Sequence, residues 1–286
     1  MTIPRTGRPA PEGAPTSLTR PLTGVLTALL AITALTAAAG CTAISHGDSG
    51  ADDDVVQSPS AEGDEGPLSG QTIVIDPGHN GGNADAAGEI NESVPAGPNK
   101  KACDTVGATS ADGYPEHEFT WEFARDLRTA LEADGATVIL TRPDNEGVGP
   151  CINERAEIGN DADADAAISI HADGADSEGR GFHVIAPGEV EGYTEDIVEP
   201  SRRLAEDVRA EIRDGTDQPY ADYIGEEGLD VRTDLGGLNL SAVPKIFLEV
   251  GNLGNAEDAE LLQDQEWRQQ TAEAVAAGKS RFLLGE

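Results

Sequence analysis

The sequence predicts an α/β fold: a single domain with a largely parallel, twisted sheet and helices on both of its faces. Two observations support this prediction. From residue 70 to residue 286, short apolar runs rich in Val and Ile alternate with segments whose apolar residues recur at helical spacing. Strands that form continuous apolar runs are typical of parallel sheets that are buried on both faces.

The first strand is predicted at Ile73–Ile75, where three β-branched residues precede Pro77 and Gly78. Pro and Gly end the pairing of a strand, so His79 is expected at its exposed carboxyl end. In open α/β sheets this end of a strand commonly carries ligand sites. A loop histidine without a role is the alternative interpretation of His79 taken alone.

The most regular helix is predicted from about Glu116 to Ala133, where Gly135 terminates it. Its apolar residues fall four positions apart and form one stripe: Phe119, Phe123, Leu127 and Leu131. The remaining elements follow in order along the chain. They are strands at about 136–141, 166–171, 181–186 and 245–250, and helices at about 152–160, 200–214 and 265–284.

The first 40 residues are predicted to be a lipoprotein-type export signal rather than a part of the fold. Three arginines precede an apolar run, Val25–Ala39, which is short for a transmembrane helix and is followed by Gly40 and Cys41. The pattern resembles a lipoprotein signal, which implies cleavage before Cys41 and lipidation of its sulfur. Secretion of a soluble protein is the alternative.

Residues 41–69 are predicted to form a disordered, acidic tether, since Ser, Gly, Asp, Glu and Pro dominate this segment. The folded domain is accordingly predicted to span residues 70–286. Together, the signal and the tether predict a protein outside the cytoplasm that contacts the membrane only through a lipid on Cys41.

The chain carries a large excess of acidic residues, with 53 Asp and Glu against 19 Lys and Arg and a formal net charge of −34. A nucleic-acid-binding protein neutralises phosphates with Lys and Arg, so this composition argues against a nucleic-acid partner. An anionic membrane surface would repel the chain for the same reason. The acidity is interpreted as favouring solubility, and a salt-rich habitat is a further interpretation.

Two cysteines, Cys103 and Cys151, lie in the predicted domain, and export would place them in an oxidising compartment. We expect a disulfide between them, which would stabilise the fold by roughly 4 kcal/mol at most. Zinc thiolates are the alternative. However, neither cysteine has the CxxC or Cys/His spacing that is typical of zinc sites.

Four polar residues stand at or near the ends of predicted strands and helices: His79, Glu116, His171 and Glu249. Two histidines and a carboxylate suit a catalytic zinc ion, which commonly takes three N or O ligands and keeps one position open. Glu249 lies in an otherwise apolar run, Ile246–Val250, where a buried carboxylate is costly unless it has a partner or a task. Glu249 is therefore a candidate general base.

A series of short motifs extends through the whole predicted domain. The motifs are IVIDPGHNGG at 73–82, EHEF at 116–119, ARDL at 124–127, LTR at 140–142, NER at 153–155, SIHAD at 169–173, GLNLS at 237–241 and LEVGNLGN at 248–255. In content and order, this series resembles the zinc-dependent N-acetylmuramoyl-L-alanine amidases of the amidase-3 family. Its finer details are similar to the mycobacterial and related actinobacterial members.

The resemblance implies that the domain is catalytic, with His79, Glu116 and His171 as zinc ligands and Glu249 as the catalytic glutamate. It further implies hydrolysis of the amide bond between N-acetylmuramic acid and L-alanine. The expected substrate is therefore peptidoglycan or its muropeptide fragments, and the expected cofactor is Zn²⁺.

The resemblance also raises three specific questions. Glu116 and Glu118 both lie near the start of the predicted helix, and registration on the family's motif selects Glu116, with His117 as a neighbour of the site. An insertion at 83–115, absent from shorter family members, could be an active-site lid, a substrate-binding rim or a stapled surface loop. Asn239 is expected either to line the groove or to pack its own loop.

Two other functions stay open on the sequence. One is a zinc carboxypeptidase-like peptidase that acts on another cell-wall peptide bond with the same His, Glu, His chemistry. The other is a non-hydrolytic wall-binding module that keeps the fold; such modules tend to lose a ligand or the glutamate, whereas all four residues are present here. Nothing in the sequence identifies a regulator.

Overall fold

The computed structural model describes residues 66–285. The predicted export signal and Cys41 lie outside these residues, as does nearly all of the predicted tether. The chain is packed from the start of the described part, because Leu68 is fully buried and its N–H donates to the Asp134 carbonyl at 2.9 Å. The folded unit therefore begins within the range that the sequence assigned to the tether. In the described part, no helix combines the length and apolar character needed to cross a bilayer.

A six-stranded sheet forms the centre of the described chain, and a two-stranded hairpin lies outside it. In chain order the strands are β1 (Thr72–Pro77), β2 (Ser93–Pro95), β3 (Lys100–Ala102), β4 (Thr137–Leu140), β5 (Ala166–Asp173), β6 (His183–Pro187), β7 (Leu229–Arg232) and β8 (Lys245–Asn252). The central sheet has the order β4-β1-β5-β8-β6-β7, in which β6 and β8 are antiparallel and all other neighbours are parallel. The prediction of a largely parallel sheet is confirmed.

Helices cover both faces of this sheet, as predicted. They are α1 (Ala87–Ile90), α2 (Glu116–Ala133), α3 (Ile152–Asp161), α4 (Val198–Gly215), α5 (Gly236–Asn239), α6 (Ala256–Gln263) and α7 (Gln265–Leu284). The long helices α2, α4 and α7 pack together, and α3 and α5 form a second group. Alternate residues of β1 show the two layers, because Ile73 and Ile75 belong to the core cluster that contains Phe119 of α2, whereas Val74 packs with Ile158 of α3.

The predicted elements are present, with their ends shifted by at most two residues. The apolar stripe of α2 is fully buried, which explains why its spacing marked the helix so clearly. The elements that were not predicted are the hairpin of β2 and β3, the edge strand β7, and the helices α1, α5 and α6. The three strands among them have only three or four residues each, too few for a periodic pattern to show.

The insertion at 83–115 is tied to the start of α3. Cys103 and Cys151, which are 48 residues apart, form a disulfide, in agreement with the predicted pairing. Beside it, the Ile152 N–H donates to the Cys103 carbonyl at 2.9 Å. A covalent bond and a hydrogen bond therefore fix the segment that follows β3 against the first turn of α3.

Candidate metal centre and active site

The candidate residues lie together at one end of the sheet, at the carboxyl ends of the neighbouring central strands β1, β5 and β8. His79 follows β1, while His171 lies in β5 and is paired directly with Glu249 of β8 in the parallel register. Glu116 is the first residue of α2. The topology thus brings four side chains that are distant in sequence to one place.

Three of these side chains form a compact cluster. One ligand atom each from His79, Glu116 and His171 lie within 4.8 Å of one another. Glu116 Oε1 is 3.2 Å from His79 Nε2 and 2.9 Å from His171 Nδ1. The two imidazole rings are nearly perpendicular, with their centroids 5.0 Å apart. Two imidazole nitrogens and a carboxylate oxygen that converge in this way could hold a metal ion.

His79 has a backbone conformation that few residues other than glycine adopt, with a φ of 59°. Such a conformation costs about 1–3 kcal/mol and persists only where its surroundings fix it. The Arg155 guanidinium donates to the carbonyls of Pro77 at 2.7 Å and His79 at 3.0 Å. Arg142 donates to the Pro77 carbonyl at 3.0 Å. The two arginines therefore hold the turn that presents the imidazole ring of His79 to the cluster.

Two glycines let the backbone approach the cluster closely. A Cβ atom on Gly78 would lie 2.2 Å from the imidazole ring of His171, so no side chain fits there. Gly107 has a φ of +85°, and a Cβ atom on it would lie 2.8 Å from the ring of His79 and 2.9 Å from Glu116 Oε2. Both positions are therefore restricted to glycine by space, and Gly107 also by its backbone conformation.

Backbone groups orient the members of the cluster. His79 Nδ1 is 3.0 Å from the Thr105 carbonyl, so this nitrogen donates a hydrogen bond and leaves Nε2 facing Glu116. Glu116 Oε2 accepts from the Ala108 N–H at 2.7 Å, and its Oε1 accepts from the Ala172 N–H at 3.2 Å. The donor atoms of the cluster are thus held in place before any ligand binds.

The members of the cluster shift one another's protonation. Burial lowers the pKa of His79, but the carboxylates of Glu116 and Asp104 outweigh it and raise that pKa to about 10. Burial raises the pKa of Glu116, whereas His79 and His171 outweigh it and hold that pKa well below its usual range. In the metal-free cluster, His79 therefore stays protonated at neutral pH. A metal ion must displace this proton in order to bind.

Glu249 lies beside the cluster in a different environment. Its Oε2 atom is buried and has no hydrogen-bond partner among residues 66–285. Burial, together with the charges of Glu116 and Asp173, raises the pKa of its carboxyl group well above the usual value. Glu249 and the cluster line the same cavity of about 400 Å³. A carboxyl group in this position can accept a proton and return it next to the cluster.

Two other residues that the sequence singled out lie outside the cluster. His117 is turned towards Asn145, with its Nδ1 3.2 Å from the side-chain oxygen Oδ1, which agrees with its expected place as a neighbour of the site. Asn239 is buried and donates to the carbonyls of Ala96 at 3.1 Å and Thr233 at 2.9 Å. Asn239 therefore packs the hairpin against its own loop, which was the second of its two expected roles.

A second, more apolar cavity of about 370 Å³ adjoins the cluster. Its walls include α5 and Phe247, whose ring stacks on the ring of His171 with centroids 5.2 Å apart. The insertion lines both cavities, through Lys101 in this one and through Val106 in the cavity beside Glu249. Of the three interpretations of the insertion, the geometry supports a rim of the site, held in place by the disulfide.

Four residues that support the cluster were not predicted from the sequence: Asp104, Thr105, Arg142 and Arg155. Both arginines stand in the quoted motifs LTR and NER, but no role was assigned to them. For Asp104 the sequence did contain a signal of a fixed position. Asp104 directly follows Cys103, and a disulfide at Cys103 restricts where its carboxylate can lie. The contact from Thr105 uses a backbone carbonyl, for which a sequence carries no signal.

Two histidines, the carboxylate that begins α2 and a further carboxyl group meet at the carboxyl ends of the strands, and such a site has the features of a metal-dependent hydrolase. Comparison with known proteins identifies the family. The sequence profile of the amidase-3 family, described as N-acetylmuramoyl-L-alanine amidase, matches residues 73–280, and the chain belongs to this family of hydrolases.

Individual relatives agree with this assignment. The chain is 40% identical over 222 residues to the N-acetylmuramoyl-L-alanine amidase Rv3717 of Mycobacterium tuberculosis, covering 76% of this chain and 88% of that protein. It is similar to the crystal structure of the amidase Ami1 from Mycobacterium smegmatis, with a TM-score of 0.72 and 38% identity over 77% of this chain and 99% of that one. Ami1 from Mycobacterium abscessus matches with a TM-score of 0.71 and 40% identity, over 76% of this chain and 100% of that one. The predicted family and fold are confirmed.

Proposed function

We propose that this protein is a zinc-dependent amidase that hydrolyses the amide bond between N-acetylmuramic acid and L-alanine in peptidoglycan or its fragments. The observation that carries the proposal is the cluster of His79, Glu116 and His171 beside Glu249, whose Oε2 atom has no hydrogen-bond partner among residues 66–285. Membership of the amidase family indicates which bond this chemistry acts on.

The donor set of the cluster fits zinc. Two imidazole nitrogens and one carboxylate oxygen are typical ligands of catalytic zinc sites, in which a fourth position stays open. Hydrogen bonds from His79 to the Thr105 carbonyl and from the Ala108 N–H to Glu116 fix the orientation of two of the three ligands. When bound, zinc supplies the Lewis acidity that polarises the scissile carbonyl and activates water.

Glu249 is the catalytic base in this proposal. Its carboxylate takes a proton from the attacking water and returns it to the nitrogen of L-alanine as the amide bond breaks. The raised pKa of Glu249 makes its carboxylate a stronger base, which favours transfer of a proton from water. Since its Oε2 is unpaired in the described part of the chain, no protein group competes with the water for that oxygen.

A digest of purified muropeptides tests this function. We expect mass spectrometry to show intact stem peptide with a free L-alanine amino terminus, a product that disappears when zinc is chelated and returns when zinc is added. Release of a terminal D-alanine would instead identify a carboxypeptidase-like enzyme. Binding of muropeptides without any cleavage would identify a non-hydrolytic module, and either result would overturn the proposal.

We further propose that the domain is exported and attached to the membrane by a lipid on Cys41, after removal of residues 1–40 and through the acidic tether at 41–69. The charged, apolar and small-residue pattern before Cys41 supports this location. Mass spectrometry of protein from the membrane fraction should show a diacylated amino-terminal Cys41. Cys41→Ser should move the protein to the soluble fraction. Unmodified wild-type protein in the culture medium would support secretion instead.

A further inference from the structure

A buried ion pair contacts both the ring and the backbone of His79. Asp104 Oδ1 is 3.3 Å from His79 Nδ1, and Asp104 Oδ2 is 3.2 Å from Arg155 Nη2. The same Nη2 atom donates to the His79 carbonyl at 3.0 Å. All three residues are buried, with at most 9% of any one exposed. We call Asp104 and Arg155 the clamp, because together they hold His79 from two sides.

The disulfide joins the two halves of the clamp. Cys103 directly precedes Asp104, and Cys151 is the residue before α3, one helical turn ahead of Arg155. Arg155 is further held by a hydrogen bond from its Nε to the Pro150 carbonyl at 2.8 Å. The covalent bond therefore lies close to the ion pair and limits how far the two halves of the clamp can separate.

We propose that the clamp and the disulfide act as one unit that positions His79 for metal binding, with Asp104 as its positioning residue. The inference rests on the proposed zinc function of the cluster. A carboxylate next to the far nitrogen of a ligating imidazole fixes the orientation of the ring and makes it a better ligand. Here Asp104 supplies the charge, and the Thr105 carbonyl supplies the closer hydrogen bond, at 3.0 Å.

A purely structural role for Asp104 makes a different prediction. Its Oδ1 also accepts from the Thr105 N–H at 2.7 Å, so loss of the carboxylate could disturb the local backbone. The side-chain oxygen of Asn can still accept from the Thr105 N–H, so if the carboxylate acts only through this hydrogen bond, Asp104→Asn should bind zinc as the wild type does. Zinc affinity measured on folded Asp104→Asn therefore separates the two roles.

The test is the zinc dissociation constant of the full chain, measured by competition with a chromophoric chelator. Asp104→Asn should weaken zinc binding by about 10–100-fold, and Asp104→Glu, which keeps the carboxylate, should recover part of the loss. Asp85→Asn is the matched control, because Asp85 lies exposed in the same segment and should leave the affinity unchanged. The visible spectrum of the cobalt-loaded protein should change in Asp104→Asn and not in the control.

Removing the disulfide tests the proposal in a second, independent way. The double variant Cys103→Ser/Cys151→Ser should also bind zinc more weakly than the wild type. When it is combined with Asp104→Asn, the loss of affinity should be smaller than the product of the two separate losses, because both changes act through one unit. Losses that simply multiply would show that the disulfide and the clamp act independently, which would overturn the proposal.

Wild-type data separate this inference from the proposed function. If the wild type binds zinc and cleaves muropeptides, and folded Asp104→Asn binds zinc equally well, the inference is overturned and the proposed function stands. If the wild type does not bind zinc, the proposed function fails and the inference fails with it. Circular dichroism establishes folding, and if Asp104→Asn does not fold, Asp104→Glu and the disulfide variant decide the question.

Discussion

The two faces of the central sheet are built from the same strands but carry different kinds of side chain, apolar on one face and largely polar near the site on the other. Along β5 and β8, alternate residues join one apolar core with residues of α2, α4 and α7: Ile168, Ile170, Ile246, Leu248 and Val250. The positions between them face the other way and carry polar groups, two of which belong to the site: Ser169, Lys245, and the site residues His171 and Glu249. We call these the apolar face and the polar face.

Asp76 is the centre of the polar face. Its carboxylate accepts from Arg155 at 2.9 Å, Ser169 at 2.6 Å and Thr141 at 2.7 Å, and Lys245 Nζ is 3.4 Å away. Burial raises the pKa of Asp76, but Lys245 and Arg155 outweigh it and hold that pKa well below its usual range. A buried network in which each charge has a partner is tolerated, whereas the loss of one partner leaves the others uncompensated.

The apolar face therefore contributes stability alone, whereas the polar face contributes both stability and the groups of the site. On the apolar face, a substitution lowers the free energy of unfolding in proportion to the buried area and volume that it removes. A polar network that ends at the metal centre tolerates few changes, since each group orients the next. Substitutions on the apolar face should therefore change stability alone, whereas substitutions on the polar face should also change metal binding or turnover.

Glu249→Gln tests the polar face with the largest expected effect. Loss of the catalytic base should lower kcat on muropeptides by about 10²–10⁴-fold. The free energy of unfolding should not fall, because Oε2 of Glu249 makes no hydrogen bond within the described residues. Turnover, zinc content and thermal unfolding measured on one preparation check all three expectations, with zinc content unchanged.

Glu189→Gln is a matched control for this variant, because it removes the same charge from an exposed position just after β6. It should leave turnover unchanged. Substantial turnover in Glu249→Gln, at a level near that of the control, would show that Glu249 is not the base.

The apolar face was the easier one to predict from the sequence, because its signals are local. The bounds of α2 agree with the prediction, since Phe119 and the three apolar residues that follow it at steps of four mark one helical stripe. The strands were equally clear as apolar runs. Their alternation was not used, although Ser169 and His171 in β5 are spaced by two, as Lys245 and Glu249 are in β8.

The polar network could not be predicted, because it joins residues that are distant in sequence. Arg155 and Lys245 lie 79 and 169 residues from Asp76, and no spacing rule connects such pairs. The four site residues were found because they stand at or near the ends of predicted strands and helices, and the family motifs then selected Glu116 over Glu118. The antiparallel direction of β6 was predictable in principle, since the connection at 174–182 is too short for the helical crossover that parallel strands need.

Asp76→Asn tests whether the polar network supports the site, with the next largest expected effect. The substitution leaves Arg155 and Lys245 buried without their shared carboxylate, so we expect a loss of about 3–5 kcal/mol in the free energy of unfolding. Zinc affinity should also fall, because Arg155 holds the turn of His79. Denaturant unfolding and chelator competition measure the two effects.

Phe123→Ala is the corresponding change on the apolar face. It should cost a similar amount, about 3–5 kcal/mol, because Phe123 is fully buried in the core. The folded fraction should bind zinc as the wild type does. An Asp76→Asn protein with unchanged zinc affinity, or a Phe123→Ala protein with weakened affinity, would contradict the division between the faces.

The smallest expected effect is a pH dependence of stability that arises at His79. In the metal-free protein, burial lowers the pKa of His79, but Glu116 and Asp104 outweigh it and raise that pKa from 6.5 to about 10. A group whose pKa is higher in the folded state stabilises the fold fully below its unfolded pKa, and this contribution is lost as the pH rises through the folded pKa. The melting temperature of the metal-free protein should therefore fall by several degrees between pH 6.5 and pH 10.

Two controls connect this fall to His79. The zinc-loaded protein should lose less stability over the same interval, because a ligating imidazole is already deprotonated. His79→Asn should flatten the pH dependence of the metal-free protein, whereas Phe123→Ala should lower its melting temperature by a similar amount at every pH. A metal-free wild type with a constant melting temperature over this range would show that the cluster does not hold its proton.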